Sequence, residues 1–555
     1  MKFLSSCVSL ALVALPSGFA ADWPQWGGTP ARNMFSPEKG LPEKFVPGQL
    51  KDGTEDIDLK TSKNVKWVAK LGSQSYGNVT IAGGKVFVGT NNDLPRDPQH
   101  EGDRSILMVF DEKTGEFLWQ LVIPKLASGR VSDWPGLGLF SSPTVDGDRV
   151  YLVTTRCEVI CLDVNGQANG NDGPFKDEAK YAVRDVLVDR DKPTERPAPP
   201  AKIGPKDADI IWKYDMMEGL GVFPHNASNC SVIIVDDVVY ACTSNGQDWT
   251  HSNIPSPLSP SFVALNKKTG ELLGEDDAKI GPRIFHGQWS SPSTGKVNGK
   301  QLVFFGGGDG FCYAFDAKPV KEADGGVLKK IWWADCNPPE HKVKDGKPIR
   351  YPAADGPSEI NATPVFYKNR VYVAVGQDPE HGEGVGHLVC LDATKTGDVT
   401  KTGVLWDYKG INRSIATVSI DPSNGLLFVA DFSGFVHCLD AETGKVYWMH
   451  DMKAHMWGST LVADGKVYVG DEDGDLVVFA SDKQKKILSK MTVDGKEEEG
   501  PNLGASIYST PVAANGTLYI QSNKHLFAVH DSARNAPGKD AGPKIEPVRK
   551  AGPGQ

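Results

Sequence analysis

The chain has 555 residues and carries 70 acidic against 60 basic side chains, a formal net charge of −10. That balance excludes the basic surface that phosphate backbones require, so nucleic acid is not an expected partner. Sixty glycines and the lack of any long amphipathic helical pattern point to an all-β chain, and a repeat array of this length can form one closed unit.

Lys2, the apolar stretch from Leu10 to Leu15, and the small residues Gly18 and Ala20 form the pattern of a signal peptide cut between Ala20 and Ala21. The apolar run is too short to span a bilayer and no later segment is long enough, so no transmembrane segment is expected after cleavage. Cys7 precedes the apolar run, the wrong order for a lipoprotein signal. The protein is therefore expected to be exported to the periplasm or cell envelope. Residues 21–63 read as a polar lead-in that wraps the folded body.

Residues 64–530 hold a repeat of short strands and turns. The clearest copy is Val429 to Trp448, with a Ser433-Gly434 turn, a Thr443-Gly444 turn and an inner strand upstream at Ile415 to Ile420. Corresponding inner strands begin near Asn78, Ser141, Cys230, Ser290, Ala362, Ala416, Ser459 and Ser509. Trp119, Trp212, Trp332, Trp406 and Trp448 end the fourth strand in five copies, while Gly274 and Ser489 stand near that place in the third and seventh. The eighth copy stops after Val529, and its missing strand is supplied by Asn64-Val65-Lys66-Trp67. The expected fold is an eight-bladed β-propeller of four-stranded antiparallel blades, closed by the N-terminal strand around Trp67 so that no sheet edge stays open. The six tryptophans are expected to pack between neighbouring blades.

Cys161, Cys390 and Cys438 share one strand position, which reads as a small core slot; the disulfide state of the eight mature cysteines stays open. Polar, proline-bearing insertions leave the second blade at about 163–210 and the fourth at about 334–357. The tail 531–555 is expected to be disordered.

Ala441-Glu-Thr-Gly-Lys-Val-Tyr-Trp448 resembles the tryptophan-docking motif of the PQQ-like (pyrroloquinoline-quinone-type) repeat family, and Asp22-Trp-Pro-Gln-Trp-Gly-Gly28 resembles the lead-in of its envelope members. The resemblance covers Asp22 to His530. It implies the propeller fold of the quinoprotein alcohol dehydrogenase-like superfamily, a group that holds both quinone-dependent dehydrogenases and non-catalytic scaffolds such as the outer-membrane assembly propeller. In the dehydrogenases it implies a quinone and Ca²⁺ at the channel mouth, with Glu and Asn on the metal, an Asp base and an Arg nearby. The adjacent-cysteine pair of many such enzymes is absent, as is a CxxCH haem motif.

The loops entering the inner strands converge at one mouth of a propeller channel, and there the chain offers Asn229, His286, Glu359, Asn361, Arg413, His455 and Trp457, with Trp134 and Trp289 nearby. Glu359 and Asn361 have the chemistry for a metal and Arg413 that for a quinone. Asp163, Asn165, Asn169, Asn171 and Asp172 are rich in hard oxygen ligands that suit Ca²⁺, although the same letters make plain turns. His381 and His387 flank a glycine-rich stretch that excludes the helix of an HExxH zinc site and reads as a solvent loop. The leading expectation is a non-catalytic binding or scaffold protein that takes a protein partner or small polar ligand at the mouth. The alternative is a PQQ- and Ca²⁺-dependent dehydrogenase, and a third class is a polysaccharide-associated propeller.

Overall fold

The computed structural model describes residues 21–126, 134–183, 199–323, 325–493 and 495–532. The residues read as a signal peptide, the middle of the second-blade insertion and nearly all of the tail lie outside the described residues.

Eight sheets stand around one axis, each built from consecutive antiparallel strands. The first blade runs Thr80–Ala82, Lys85–Asn91, Arg104–Asp111 and Phe117–Pro124. Its second and third strands are apolar on both faces and buried, since each sheet is sandwiched between two others. The eighth blade takes its outer strand from the other end of the chain: Val65–Lys70 lies antiparallel to His525–Val529, with Trp67 opposite Ala528. The third blade is widened by Gly325–Leu328 and Val320–Glu322, and the fourth by Gly397–Asp398. The seventh departs from the pattern: its outer place holds only isolated bridges, Phe479 to Ile487 and Asp475 to Asn502, and Phe35–Ser36 adds to its inner edge, parallel to Leu461–Ala463.

The Ser/Thr residues that open the inner strands have a structural task. The backbone N–H of one blade donates to the side-chain oxygen of the next: Asn78 to Ser142 at 3.1 Å, Ser142 to Ser231 at 3.0 Å and Ser231 to Ser291 at 2.9 Å. The belt resumes from Thr363 to Thr417 at 3.3 Å, from Thr417 to Ser459 and from Ser459 to Thr510, both at 2.8 Å, and closes from Thr510 onto Asn78. Donors that would otherwise be left bare beside the channel are thereby satisfied.

The tryptophans fasten the outer rim. Each indole N–H donates to a carbonyl just past the third strand of the following blade: Trp67 to Glu112 at 3.0 Å, Trp119 to Val164 at 3.2 Å and Trp212 to Lys267 at 3.0 Å. Trp332, Trp406 and Trp448 do the same to Ala393, Ala441 and Asp482 at 3.2, 3.2 and 2.9 Å. At four of these six rings a glycine of the neighbouring turn lies beneath the indole, Gly115, Gly166, Gly270 or Gly444; a Cβ on Gly444, at φ +72°, would come within 2.7 Å of Trp406. Opposite the ring on the third strand stands a small residue, Cys161, Cys390 or Cys438 in three blades. All eight cysteines of the described residues are free and buried. Where the third blade lacks its tryptophan, the Tyr240 hydroxyl donates to the Ala317 carbonyl instead. In the seventh, Tyr468 donates to the Pro42 carbonyl at 3.1 Å, and the buried Leu41 and Phe45 fill the gap.

Part of the lead-in enters the ring. Residues 22–38 run as a strap inside the ring, because their main-chain and buried polar groups find partners on the inner strands. Trp23 pairs with Ile81 of the first blade and Pro24 with Val145 of the second. Arg32, fully buried, donates to the carbonyls of Ser231 and Val232 of the third blade and Pro292 of the fourth. Ala31 bonds Phe366 of the fifth, Asn33 bonds Ile420 of the sixth, and Phe35 pairs with Val462 of the seventh. Ser36 donates to Ala513 of the eighth at 2.8 Å. Every blade is thus tied to one short segment. Among the described residues no helix is long and apolar enough to cross a membrane.

Candidate functional site

The strap closes the channel and leaves a cavity of about 570 Å³ at its mouth. Gly28 lies against the Trp23 ring, where a Cβ would come within 2.7 Å; this tight Trp-Gly-Gly turn buries Trp23 and presents Trp26 to the cavity. Trp26 is fixed there by its indole N–H, which donates to Thr363 at 3.0 Å. Around it stand Tyr76, Trp134, Phe140, Trp289, Trp457 and Tyr508. Tyr76 and Tyr508 stack at 4.7 Å with planes 3° apart, and Trp457 meets both edge-on. The Trp457 indole is held by Glu472 at 2.9 Å. Asn78, Asn229 and Asn361 supply amides to the lining, and Asp378 and Glu380 supply carboxylates; Lys and Arg are absent from its described residues.

Glu359 lies behind this wall, fully buried. Its Oε1 accepts from Tyr351, Asn361 and the Asp378 backbone at 3.2–3.4 Å, while its Oε2 and the Asn361 Oδ1 have no partner. Burial, and then the adjacent Asp378, pushes the Glu359 carboxyl well above the usual range. Asp378 goes the other way: burial opposes its charge, but hydrogen bonds from His286 and His381, each 2.8 Å from Oδ2, hold it well below. His225 and His251 complete a histidine cluster with His286, their Nε2 atoms 3.2 Å apart. Burial and the neighbouring His286 lower His225 to about 3, so it is neutral.

The other sequence-selected residues are placed differently. Arg413 is buried, but its guanidinium donates to the carbonyls of Ala353, His381 and Gly382, bracing two loops instead of facing the cavity. His455 stacks on Phe432 at 4.5 Å beside Glu383 and Glu472, outside the cavity lining. The five residues read for Ca²⁺ do not converge. Asp163 pairs with Arg149 at 2.8 Å, Asp163 Oδ1 accepts from the Asn165 backbone, Asn169 reaches Asp172, and Asn171 bonds Glu178. Only Asp163 and Asp172 come together, with Asp209. His387 begins the strand His387–Asp392 and bonds Cys336, well separated in role from His381.

A family model described as Outer membrane protein assembly factor BamB, of the PQQ_2 type, matches residues 52–171 and 403–533. A solved europium-containing methanol dehydrogenase aligns over 90% of this chain and 89% of its own, with a TM-score of 0.51 at 11% identity, a likeness of fold. The chain is a PQQ-like propeller. A polyvinylalcohol dehydrogenase of Pseudomonas sp is 32% identical over 24% of this chain and 21% of its own length. The quinoprotein alcohol dehydrogenase PedH of Pseudomonas putida is 24% identical over 46% of this chain and 43% of its own. The matched stretches therefore span under half of these curated relatives.

Within this PQQ-like propeller the docking motif positions the blades, and the site residues sit on the loops that enter and connect their strands. Tyr76, Tyr508 and Phe140 precede inner strands, as do Trp289 and Trp457, so the repeat carried a signal for them. His225, His251 and Asp378 follow no such spacing.

Proposed function

We propose that this propeller is a binding protein that takes a neutral, hydroxyl-rich ligand, such as a sugar ring, into the aromatic cavity at its channel mouth. The seven aromatic side chains of the lining carry the reading. Their faces cover the C–H faces of such a ligand, while the amides of Asn78, Asn229 and Asn361 and the carboxylates of Asp378 and Glu380 bond its hydroxyls. The expected export of the chain puts such a ligand in the cell envelope. Fold alone decides no chemistry, so the reading rests on the cavity.

A second reading, a PQQ- and Ca²⁺-dependent dehydrogenase, is favoured by one observation beside the names of the relatives. The partnerless Glu359 Oε2 and Asn361 Oδ1 are hard oxygen donors of the kind Ca²⁺ takes. The quinone does not fit as well. It is a tricarboxylate, and the described cavity lining offers it carboxylates and no Lys or Arg, with Arg413 committed to backbone carbonyls.

Titrating the mature protein with neutral oligosaccharides, and separately with PQQ and Ca²⁺, tests both readings by tryptophan fluorescence and calorimetry. Saturable oligosaccharide binding, weakened at least about tenfold by Trp457→Ala, is expected. Saturable PQQ binding with dye reduction would overturn the reading in favour of the enzyme.

A further inference from the structure

We propose that His225, His251 and His286 form a binding site for a divalent transition-metal ion of the Zn²⁺ or Cu²⁺ class. The site lies beside the aromatic cavity and does not depend on the ligand proposed for it.

The three rings come from loops of the third and fourth blades, and one nitrogen of each lies within 4.8 Å of the others. His225 Nε2 and His251 Nε2 are 3.2 Å apart. Two nitrogens bound at about 2.0–2.1 Å to one tetrahedral ion stand about 3.3 Å from each other. The tautomers follow from the outer partners. His225 Nδ1 is 2.7 Å from the Gln247 carbonyl, which can only accept, so the proton is on Nδ1 and the Nε2 lone pair is bare. His286 Nδ1 faces Asp378 Oδ2 at 2.8 Å, which leaves its Nε2 bare in the same way. That His286 Nε2 is fully buried and has no hydrogen-bond partner. A carbonyl on one histidine and a carboxylate on another are the outer partners that orient metal-binding imidazoles and raise their basicity.

The scaffold holds the rings in place. The Gln247 N–H donates to the His286 carbonyl at 2.8 Å while its own carbonyl takes His225, so the backbone of one residue couples two of the three ligands. Gly246 permits this approach: a Cβ there would lie 2.7 Å from His225 Cβ and 2.8 Å from the His286 carbonyl. His251 is carried on a loop pinned by Asp248, whose side chain accepts from Thr250 and Asn253 and whose carbonyl takes the His251 N–H. His251 is exposed, which leaves the solvent side for a fourth ligand. Three imidazoles suit Zn²⁺ and Cu²⁺ and are poor ligands for Ca²⁺ or Mg²⁺. A hydrogen bond between His225 and His251 alone accounts for that pair, but it leaves the His286 nitrogen unexplained.

The test uses tag-free mature protein stripped with chelator, loaded with Cu²⁺ or Zn²⁺ and passed through gel filtration. Metal per chain is measured by mass spectrometry, and the Cu²⁺ environment by electron paramagnetic resonance. Expected are stoichiometric retention, nitrogen hyperfine structure and no competition by Ca²⁺. His286→Ala should abolish retention, and Asp378→Asn should weaken affinity by about 10–100-fold. His251→Ala sits on an exposed loop, so it should weaken binding with an unchanged melting curve. A folded parent that retains no metal overturns the proposal, and so does retention undiminished by His251→Ala and His286→Ala. Oligosaccharide binding fails or succeeds independently of either result.

Discussion

Burial lets Asp471 hold its proton to a higher pH than it would in the unfolded chain. It lies buried in the hairpin between the second and third strands of the seventh blade, with Oδ1 on the Asp475 N–H and Oδ2 without a partner. Burial, then the charges of Asp475 and Asp473, push its carboxyl up to about 7, whereas an unfolded aspartate titrates near ~4. Between those two values the folded state binds more protons, so this group's stabilising contribution is full below ~4 and is lost as pH rises towards 7. Glu359, raised by burial and Asp378, acts in the same direction. Asp471→Asn should therefore flatten the fall in melting temperature from pH 5 to 8 by roughly 1–3 °C, measured in chelator. Parallel curves for parent and variant would refute the assignment. At this scale the sequence was only partly readable. Residues preceding inner strands, such as Asn229, Asn361 and Trp457, were found because the repeat fixes where those positions point. Arg413 has the same address, but its long side chain turns back onto the carbonyls of two loops, and loop conformation leaves no periodic trace. His381 reads as a solvent loop from its glycines and instead joins Asp378 through a 3₁₀ turn, Pro379–His381.

The element that repeats is a corner, in which the outer-strand tryptophan of one blade rests on the glycine turn of the next. At the junction of the fifth and sixth blades, Trp406 donates to Ala441 and Gly444 lies beneath the ring. Gly444→Ala meets two obstacles, the left-handed φ of +72° and the 2.7 Å approach to the indole, and should cost about 1–3 kcal/mol in chemical denaturation. Gly425 has a similar φ of +74° but open space, so Gly425→Ala should cost only the backbone share, about 1 kcal/mol. In Trp406→Leu the ring is gone, and Gly444→Ala should then be less costly than in the parent; strict additivity would show that the two do not meet. These corners were the most legible part of the molecule, because Trp, Thr-Gly and a small strand residue recur at fixed spacing. The exceptions were legible as gaps at Gly274 and Ser489, but not what fills them. Tyr240 and the Leu41–Pro42 segment substitute through tertiary contacts that local sequence does not encode.

At the scale of the whole molecule the ring is closed twice, by Val65–Lys70 on the eighth blade and by the strap that touches all eight. The first closure is visible in the sequence because a blade without a fourth strand needs one. The second is not, since residues 22–38 look polar and Arg32 looks like a surface side chain, although it is fully buried on backbone carbonyls. Deleting residues 22–36 exposes those carbonyls and the inner edge of the seventh blade, and should lower the melting temperature by at least about 5 °C. A deletion variant that melts like the parent would mean that the ring stands without its strap.

The strap also orders events in time. Its partners begin at Ile81 and end at Gly516, so this early segment of the chain has no complete seat until the last blade has been made. Its docking is long-range in sequence and must await loop closure over nearly the whole chain. Until then the strap is only partly seated, and a half-made ring offers open strand edges to any neighbour, so the interval between synthesis of the first and last blades is the one in which mispairing is most open to it.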